Sequence, residues 1–273
     1  MEEHETETKQ TLERKDKIMF ALTNQEIAAR CPQVFQTDYS SARTQKYNQF
    51  TTSDVIDTLR TEGFEVTSAF SQSKKNTQYS KHCVRLSHRD FLDTLKPSDE
   101  RPEIVIVNSH DGSSSFRIMA GIFRLVCSNG LIVADEKTAD NRIIHRWDNE
   151  IESVKELALV VAEQAKDSYE FINQMKTQNL TEAQQKSYAE RAAKIRLGFN
   201  KNAKIQYSEN LLIPHRNEDR FAPTIWNTYN VVQENCIKGG QVVGTRPLRE
   251  LKNISQNINV NRKLWQEAVA LIA

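Results

Sequence analysis

The sequence predicts an α+β protein in which an antiparallel sheet comes first along the chain and helices follow. Two observations support this fold class. In residues 21–147 the apolar residues mostly alternate or form short β-branched runs, such as EIVIV at residues 103–107. In residues 148–273 they recur every three or four positions, which is the period of an amphipathic helix. We therefore expect a β-rich half and a helical half, packed together as one continuous domain.

The composition is that of a soluble protein with an ordinary core. Of the 273 residues, 38% are hydrophobic and 27% are charged, which suits one large domain or two modest ones. The 37 basic and 36 acidic residues give a formal net charge of +1. Because this charge creates no global positive field, any binding to nucleic acid has to rest on local basic patches.

Targeting and redox features favour the cytoplasm. Residues 1–20 are charged and polar, which is unlike a signal peptide and predicts a disordered N-terminus. No apolar run approaches the ~20 residues that cross a bilayer, so we expect no membrane association. The cysteines lack CxxC spacing, which predicts reduced thiols rather than a zinc site or a disulfide framework; they are Cys31, Cys83, Cys127 and Cys236.

A short helix and a half-buried strand open the β-rich half. Ser53 is placed to cap the helix, and Gly63 is placed to end it. In the segment that follows, Phe64, Val66 and Phe70 fall on one side of a strand.

Four or five antiparallel strands are expected in total. Residues 79–87 form the returning strand, and residues 103–107 form a buried strand. Residues 116–127 form one long strand in which Gly121 is a candidate bulge, and residues 131–134 begin the next.

The helical half begins with a helix of about seven turns that Asp148 can cap. Thr181 and Gln184 form a capping-box pattern for a second helix, which Gly198 can stop. The packing seam of the first helix consists of Ile151, Val154, Ala158, Val161, Ala165, Ser168, Ile172 and Met175.

Two more helices complete this half. One begins near Pro223 and ends before Gly239. Its inward residues are Trp226, Tyr229 and Val232, and those of the last helix are Leu264, Trp265, Ala268 and Ile272.

Several segments of the chain resemble a known family. They are LTNQEIAARCPQVF, YSKHCVRL, EIVIVNSHDGSSSFRIMAGIFRLVCSNGLIV, PHRNEDR, QENCIKGG and INVNRKLW. From about Leu22 to Trp265 they are similar, in consistent order, to the phage- and plasmid-related domain-of-unknown-function family, which includes uncharacterised prophage proteins. The resemblance implies a cytoplasmic mobile-element protein that meets DNA or host defence. The order of elements also resembles, more remotely, single-strand annealing proteins of the Rad52 type, which form rings on single-stranded DNA.

The HDGSSS stretch at residues 110–115 has two interpretations. Its residue types are typical of a hairpin turn, in which Gly112 is free to take a positive φ. Alternatively, Ser113, Ser114 and Ser115 offer hydroxyl and N–H groups that can hold a phosphate. A Ser-His-Asp hydrolase is not expected, because the sequence has no GxSxG elbow.

A metal site would have to use His82, His110, Asp111 and His145. These residues lie on different predicted strands or turns, and their spacing has no zinc signature. Oxygen ligands for Mg²⁺ are scarce beside them. We therefore expect no metal and no cofactor, with His110 and Asp111 as the candidates if a metal does bind.

Basic residues near aromatic ones on the predicted sheet favour a nucleic-acid surface. Lys81 and Arg85 share one strand face, and a bulge at Gly121 would place Arg117 and Arg124 on a common face. The alternative is that these cations are the solvated side of the sheet. Two further candidates lie in the helical half. Arg216 is alternatively part of a local ion-pair corner, and Lys238 is alternatively the end of a helix that the following glycine stops. The candidate nucleic-acid-binding residues are Arg43, Lys46, Tyr47, Lys74, Lys75, Lys81, Arg85, Ser113, Ser114, Arg117, Arg124, Arg216 and Lys238.

Three functions are compatible with these patterns. The first is a mobile-element protein that binds single-stranded DNA without catalysis, as an oligomeric annealing or recombination factor. The second is an interaction protein that blocks a host defence or restriction system, since the long helix offers a docking seam. The third is a metal-dependent nuclease that uses His110 and Asp111.

Overall fold

The computed structural model confirms the α+β class, with an antiparallel sheet followed by the main helices. The main helices come after the sheet in the chain, as the change of apolar period predicted. The structure describes residues 21–38, 51–72, 79–92, 100–111, 114–124, 129–132, 141–143, 151–199, 204–216, 220 and 222–272.

A short helix, α1 (Asn24–Arg30), occupies a segment for which strands were expected. It begins at a capping box, in which the Thr23 hydroxyl accepts from the Glu26 N–H at 3.2 Å. The Glu26 carboxylate accepts in turn from the Thr23 N–H at 3.0 Å. This reciprocal pair satisfies the first N–H groups of a helix, so the segment is helical although it lies in the β-rich half. A single 3-10 turn, Pro32–Phe35, follows.

Helix α2 (Thr52–Thr61) is capped by Thr51 and not by Ser53. The Thr51 hydroxyl accepts from the N–H three residues later at 3.1 Å, and Ser53 lies inside the helix. Gly63 follows the helix end with a φ of +88°, as predicted. A Cβ at Gly63 would lie 2.5 Å from Nε2 of His88, so a larger residue would displace that ring.

One antiparallel sheet contains the six main strands of the described chain. They are β1 (Phe64–Ser71), β2 (His82–His88), β3 (Glu100–Asn108), β4 (Phe116–Arg124), β5 (Asn129–Ile132) and β6 (Asn141–Ile143). Strands β1 to β5 are neighbours in sequence order, and β6 also pairs with β4. Strands β3 and β4 pair directly, which confirms the hairpin predicted at HDGSSS.

A bulge in β1 corrects the predicted position of Phe70. The register with β2 shifts between Val66 and Ser68, so Thr67 is an extra residue on β1. Because an extra residue reverses the alternation beyond it, Ala69 takes the buried position. Phe70 is consequently 43% exposed and does not join the core.

The bulge predicted at Gly121 is not present in the ladder between β3 and β4. Gly121 pairs with Glu103 inside an uninterrupted register. Positions 117 and 124 therefore stay an odd number of residues apart and belong to opposite faces of the sheet. Arg117 and Arg124 cannot form one cationic pair on this sheet.

The helical half contains four helices and a small hairpin in its described residues. They are α3 (Ile151–Thr177), α4 (Glu182–Leu197), α5 (Ile225–Lys238), β7 (Val242–Val243), β8 (Arg246–Pro247) and α6 (Ile254–Val269). The predicted capping box of α4 is present, with the Thr181 hydroxyl accepting from the Gln184 N–H at 3.2 Å. Gly198 ends α4 in the left-handed conformation, with a φ of 73°.

The predicted packing seam of α3 is confirmed wherever its side chains are described. The buried seam residues are Val161, Ser168, Ile172 and Met175. The predicted cap, Asp148, lies outside the described residues. Helix α5 buries Trp226, Tyr229 and Val232 as expected, whereas Ile272 lies beyond the end of α6.

Both faces of the sheet are covered by apolar contacts. On one face, Val84, Ile104 and Ile118 belong to the main core, which also includes residues of helices α1 to α5. On the other face, Val105 and its neighbours pack against Ile254 and Ile258 of α6. No helix in the described part of the chain is both long and apolar enough to cross a membrane.

Candidate nucleic-acid interface

The hairpin loop after β3 is closed by its own side chains. The Ser109 hydroxyl accepts from the Ser114 N–H at 2.9 Å and donates to the Ser114 carbonyl at 3.2 Å. His110 is buried, and its Nε2 lies 2.7 Å from the carbonyl oxygen of Gln33. The His110 ring thus anchors the loop to the 3-10 turn after α1.

His82 is buried beside His110, with the two ring centroids 5.2 Å apart. Its Nδ1 faces the carbonyl oxygen of Ser80 at 3.1 Å, so this nitrogen carries the proton. Its Nε2 then accepts from the Thr52 hydroxyl at 2.7 Å, and that hydroxyl accepts from the Asn108 amide at 3.1 Å. Burial, followed by the neighbouring His110, lowers the pKa of His82 to about 3.

The His82 and His110 rings are therefore neutral at pH 7, and both nitrogens of His82 and Nε2 of His110 face protein groups. Burial also lowers the pKa of His110. Within the described residues, no group of three His, Cys, Asp or Glu side chains is arranged to hold a metal ion.

Arg85 lies on the same strand face as Lys81, as predicted, but its guanidinium binds inside the protein. Its Nε donates to the Glu103 carboxylate at 2.6 Å, and Arg101 donates to the other oxygen at 3.2 Å. The side chain of Glu103 is fully buried, so the two cations compensate a charge that water does not reach. A structural ion pair thus accounts for Arg85.

Lys81 and Arg117 are close enough to influence each other. Burial, followed by the charge of Arg117, lowers the pKa of Lys81, and Asp111 acts in the opposite direction. The Lys81 ammonium donates to the Ser255 hydroxyl at 2.9 Å, in the first turn of α6. The fold therefore brings these two predicted cations together on the sheet.

Arg216 and Lys238 converge on Glu234 of α5. Arg216 donates to both carboxylate oxygens at 2.6 and 2.5 Å, and Lys238 lies 3.3 Å from one of them. Burial acts to raise the pKa of Glu234, but these two cations outweigh it and the pKa is lowered. The carboxylate of Glu234 stays ionised in this arrangement.

The remaining sequence candidates lie outside the part of the chain that the structure describes, or only their backbone is described. They are Arg43, Lys46, Tyr47, Lys74, Lys75, Ser113, Arg124 and His145.

A basic groove that the sequence patterns did not reveal lies beside the C-terminal end of α4. It has a volume of about 750 Å³ and is bounded on the other side by the β7–β8 hairpin. Among the described residues that line it there is no acidic side chain. The cations that line it are Arg196, Lys204, Arg246 and Arg249.

Arg196 positions one wall of this groove. Its Nε donates to the Cys236 carbonyl at 2.7 Å, and its Nη2 donates to the Arg249 carbonyl at 2.6 Å. Gly239 lets the same segment approach α5, because a Cβ there would lie 2.4 Å from the Leu248 carbonyl oxygen. Contacts to backbone carbonyls therefore hold the segment around Arg249 against α5. The side chains of Lys204, Arg246 and Arg249 remain exposed to solvent.

Lys204, Arg246 and Arg249 are exposed and make no side-chain hydrogen bond or ion pair within the described part of the chain. Beside them Phe199 also lines the groove and is 57% exposed. Lys204 also lies near the carboxylate of Glu190, whose pKa it helps to lower, whereas no acidic partner is seen for the two arginines among the described residues. Three exposed cations and one exposed aromatic ring can accept an anionic ligand that also has a flat apolar part.

Comparison with known proteins places the chain in a family. Residues 40–265 match the family described as Domain of unknown function (DUF932). The chain is 30% identical over 269 residues to UPF0380 protein YafZ and to UPF0380 protein YfjQ, both of Escherichia coli (strain K12). Each alignment covers 92% of this chain and 92% of the relative. No solved structure matches, so the likeness to Rad52-type proteins stays a prediction. The chain belongs to the DUF932 family, which confirms the family resemblance that its segments indicated.

Proposed function

We propose that this protein binds single-stranded nucleic acid, in the first place DNA, through the groove between α4 and the β7–β8 hairpin. The observation that carries the proposal is the combination of an exposed phenyl ring with Lys204, Arg246 and Arg249, none of which has an ion-pair partner in the described part of the chain. Phosphates are the natural counter-charges for such a set, and arginine binds them in a bidentate manner.

The low net charge of the protein agrees with a local binding site. With a formal charge of +1, the chain has no general attraction for polyanions. Binding therefore depends on the cations that the fold concentrates in one place, and it weakens as salt competes for the phosphates.

The exposed ring favours single strands over duplex. In a duplex the faces of the bases are stacked on each other, so an aromatic side chain at the surface reaches only their edges. In a single strand the base faces are accessible, and stacking on an aromatic ring adds to the phosphate contacts.

Lys81 and Arg117 give a second cationic position on the sheet. In the mobile-element setting that the family resemblance implies, strand binding at both positions fits a role in recombination or annealing. An oligomer would multiply the number of phosphates bound by one assembly.

A titration of purified protein against labelled single- and double-stranded DNA tests this function. It is read by fluorescence anisotropy at about 50 and 200 mM salt, a range over which phosphate contacts weaken markedly. We expect tighter binding of the single strand, a loss of affinity at the higher salt, and DNA of unchanged length with and without Mg²⁺. Absence of binding at the lower salt would refute the proposal, and shortened DNA with Mg²⁺ would favour a nuclease.

A second candidate is a protein-docking function on the outer side of α3. Two large apolar side chains there are exposed, Val160 at 53% and Phe171 at 42%, and their spacing of eleven residues places them on one face of the helix. Such a patch suits a protein partner, including one from a host defence system. Co-purification of one stoichiometric partner that a Val160→Lys variant loses, together with no DNA binding, would favour this candidate.

A further inference from the structure

Phe199 is an exposed ring on a fixed backbone. It directly follows Gly198, whose left-handed conformation ends α4, and its N–H donates to the Lys194 carbonyl at 3.1 Å. The position of its Cα is thus set by the helix end. A large apolar residue just beyond such a cap commonly packs back onto the helix. Phe199 instead leaves 57% of its surface in water, which is the highest exposure among the large apolar side chains of the described chain.

Aromatic residues within helices α4 and α5 are placed differently from Phe199. Tyr188, Trp226 and Tyr229 are all at most 2% exposed and form the core between the helices. The Trp226 and Tyr229 rings stack at 5.8 Å, and Tyr229 meets Trp265 edge-on at 5.6 Å. The Phe199 ring is left available to a ligand.

The ring and the cations line the same groove, which places two kinds of contact within reach of one ligand. Lys204 and Arg246 offer charge, and Phe199 offers a flat apolar face. A single nucleic-acid strand alternates phosphates with bases whose faces are accessible, so it matches both contacts at once. An inorganic anion or an acidic peptide would use the cations and leave the ring unoccupied.

We infer that Phe199 is a base-stacking platform, on which one base of a bound strand rests while the adjacent phosphates bind Lys204, Arg246 and Arg249. This inference rests on the proposed function. Every base has a stacking face, so the contact depends on the presence of a base and tolerates any sequence. It also applies to RNA and DNA alike, since the bases of both have stacking faces.

Oligonucleotides with and without bases separate the two contacts. An abasic strand keeps the number of phosphates and lacks the stacking partner. We expect the wild-type protein to bind the abasic strand about 5- to 150-fold more weakly than an ordinary strand, which is the range for one stacked base. Phe199→Ala should weaken binding of the ordinary strand by a similar factor and leave binding of the abasic strand unchanged.

Two further variants keep the result interpretable. Phe199→Trp preserves a stacking surface and should bind the ordinary strand at least as well as the wild type. Phe171→Ala removes another exposed phenyl ring, on α3, and should change neither titration. Equal thermal melting of the variants establishes that each is folded.

The outcomes distinguish the inference from the function on which it rests. If Phe199→Ala binds ordinary strands as tightly as the wild type, while an Arg246→Gln, Arg249→Gln variant binds them weakly, the groove binds phosphate and the stacking platform is wrong. If the wild-type protein binds neither strand, the proposed function fails and the inference fails with it.

Discussion

Removal of two groove cations should change how binding responds to salt. Arg246 and Arg249 are exposed and make no side-chain hydrogen bond or ion pair within the described residues, so we expect the fold to tolerate glutamine at both positions. The Arg249 carbonyl still accepts from Arg196, because the substitution alters only the side chain. The double variant therefore reports on ligand binding and not on folding.

The magnitude follows from the number of phosphate contacts. For single strands the logarithm of affinity falls by about 0.7 per contact for each tenfold rise in salt, so a strand short enough to occupy the groove alone, with three contacts, gives a slope of about −2.1. Between about 50 and 200 mM salt the wild-type affinity should fall about 18-fold. With Lys204 alone remaining, the slope should be about −0.7 and the loss about 2.6-fold.

The assay is a fluorescence-anisotropy titration of one labelled single strand at several salt concentrations. An Arg30→Gln, Lys263→Gln variant removes the same charge from two exposed positions outside the groove lining, and it serves as the matched control. The control should keep the wild-type slope. Parallel slopes for the wild type and the Arg246→Gln, Arg249→Gln variant would refute the assignment of phosphates to this groove.

Three other changes test the structural account. Arg85→Met should lower the free energy of unfolding in urea by about 3–5 kcal/mol, since it removes a partner of the buried Glu103 carboxylate, while strand affinity stays unchanged. Gly239→Ala should cost about 1–3 kcal/mol in the same assay, because the residue has a φ of +77° and a Cβ would meet the Leu248 carbonyl. Lowering the pH should destabilise the protein through His82, whose folded pKa of about 3 lies below its ordinary value of 6.5. The unfolded chain takes up the proton first, so stability is complete above pH 6.5 and falls towards pH 3 by about 1.4 kcal/mol per pH unit. A His82→Gln variant should lose this part of the pH dependence, and an unchanged slope would show that His82 is not its source.

The sequence predicted the features whose causes are local. The change from period two to period three or four depends only on which face of a strand or helix is buried, so it identified the fold class. The Thr181 capping box and the Gly198 stop are likewise complete within one helix. By the same rule, Thr23 and Glu26 form a box that was readable in the sequence, and the α1 helix could have been predicted from it.

The errors arise where a partner element decides the outcome. The extra residue at Thr67 depends on how β1 pairs with β2, and no residue type in FEVTSAF marks it. Arginine is usually a surface residue, but the ion pair with Glu103 on the next strand keeps the Arg85 side chain inside the protein. Neither effect can be read from one segment.

The groove was missed for a similar reason. One wall comes from residues 196–199 and 204–206, and the other from residues 243–249. The whole of α5 separates the two walls in the chain. Neither segment has a recognisable motif, and GGQVVGTR lacks the spacing of a phosphate loop. Only the tertiary fold brings Lys204 to Arg246.

Hydrogen exchange of the backbone amides with and without single-stranded DNA locates a bound strand on the protein, and it therefore tests whether the groove is the binding site. We expect slower exchange in residues 204–206 and 243–249 when the strand is bound, and unchanged exchange along the outer side of α3. Saturating binding that leaves the exchange of residues 243–249 unaltered would contradict this expectation, and would place the nucleic-acid site elsewhere on the molecule.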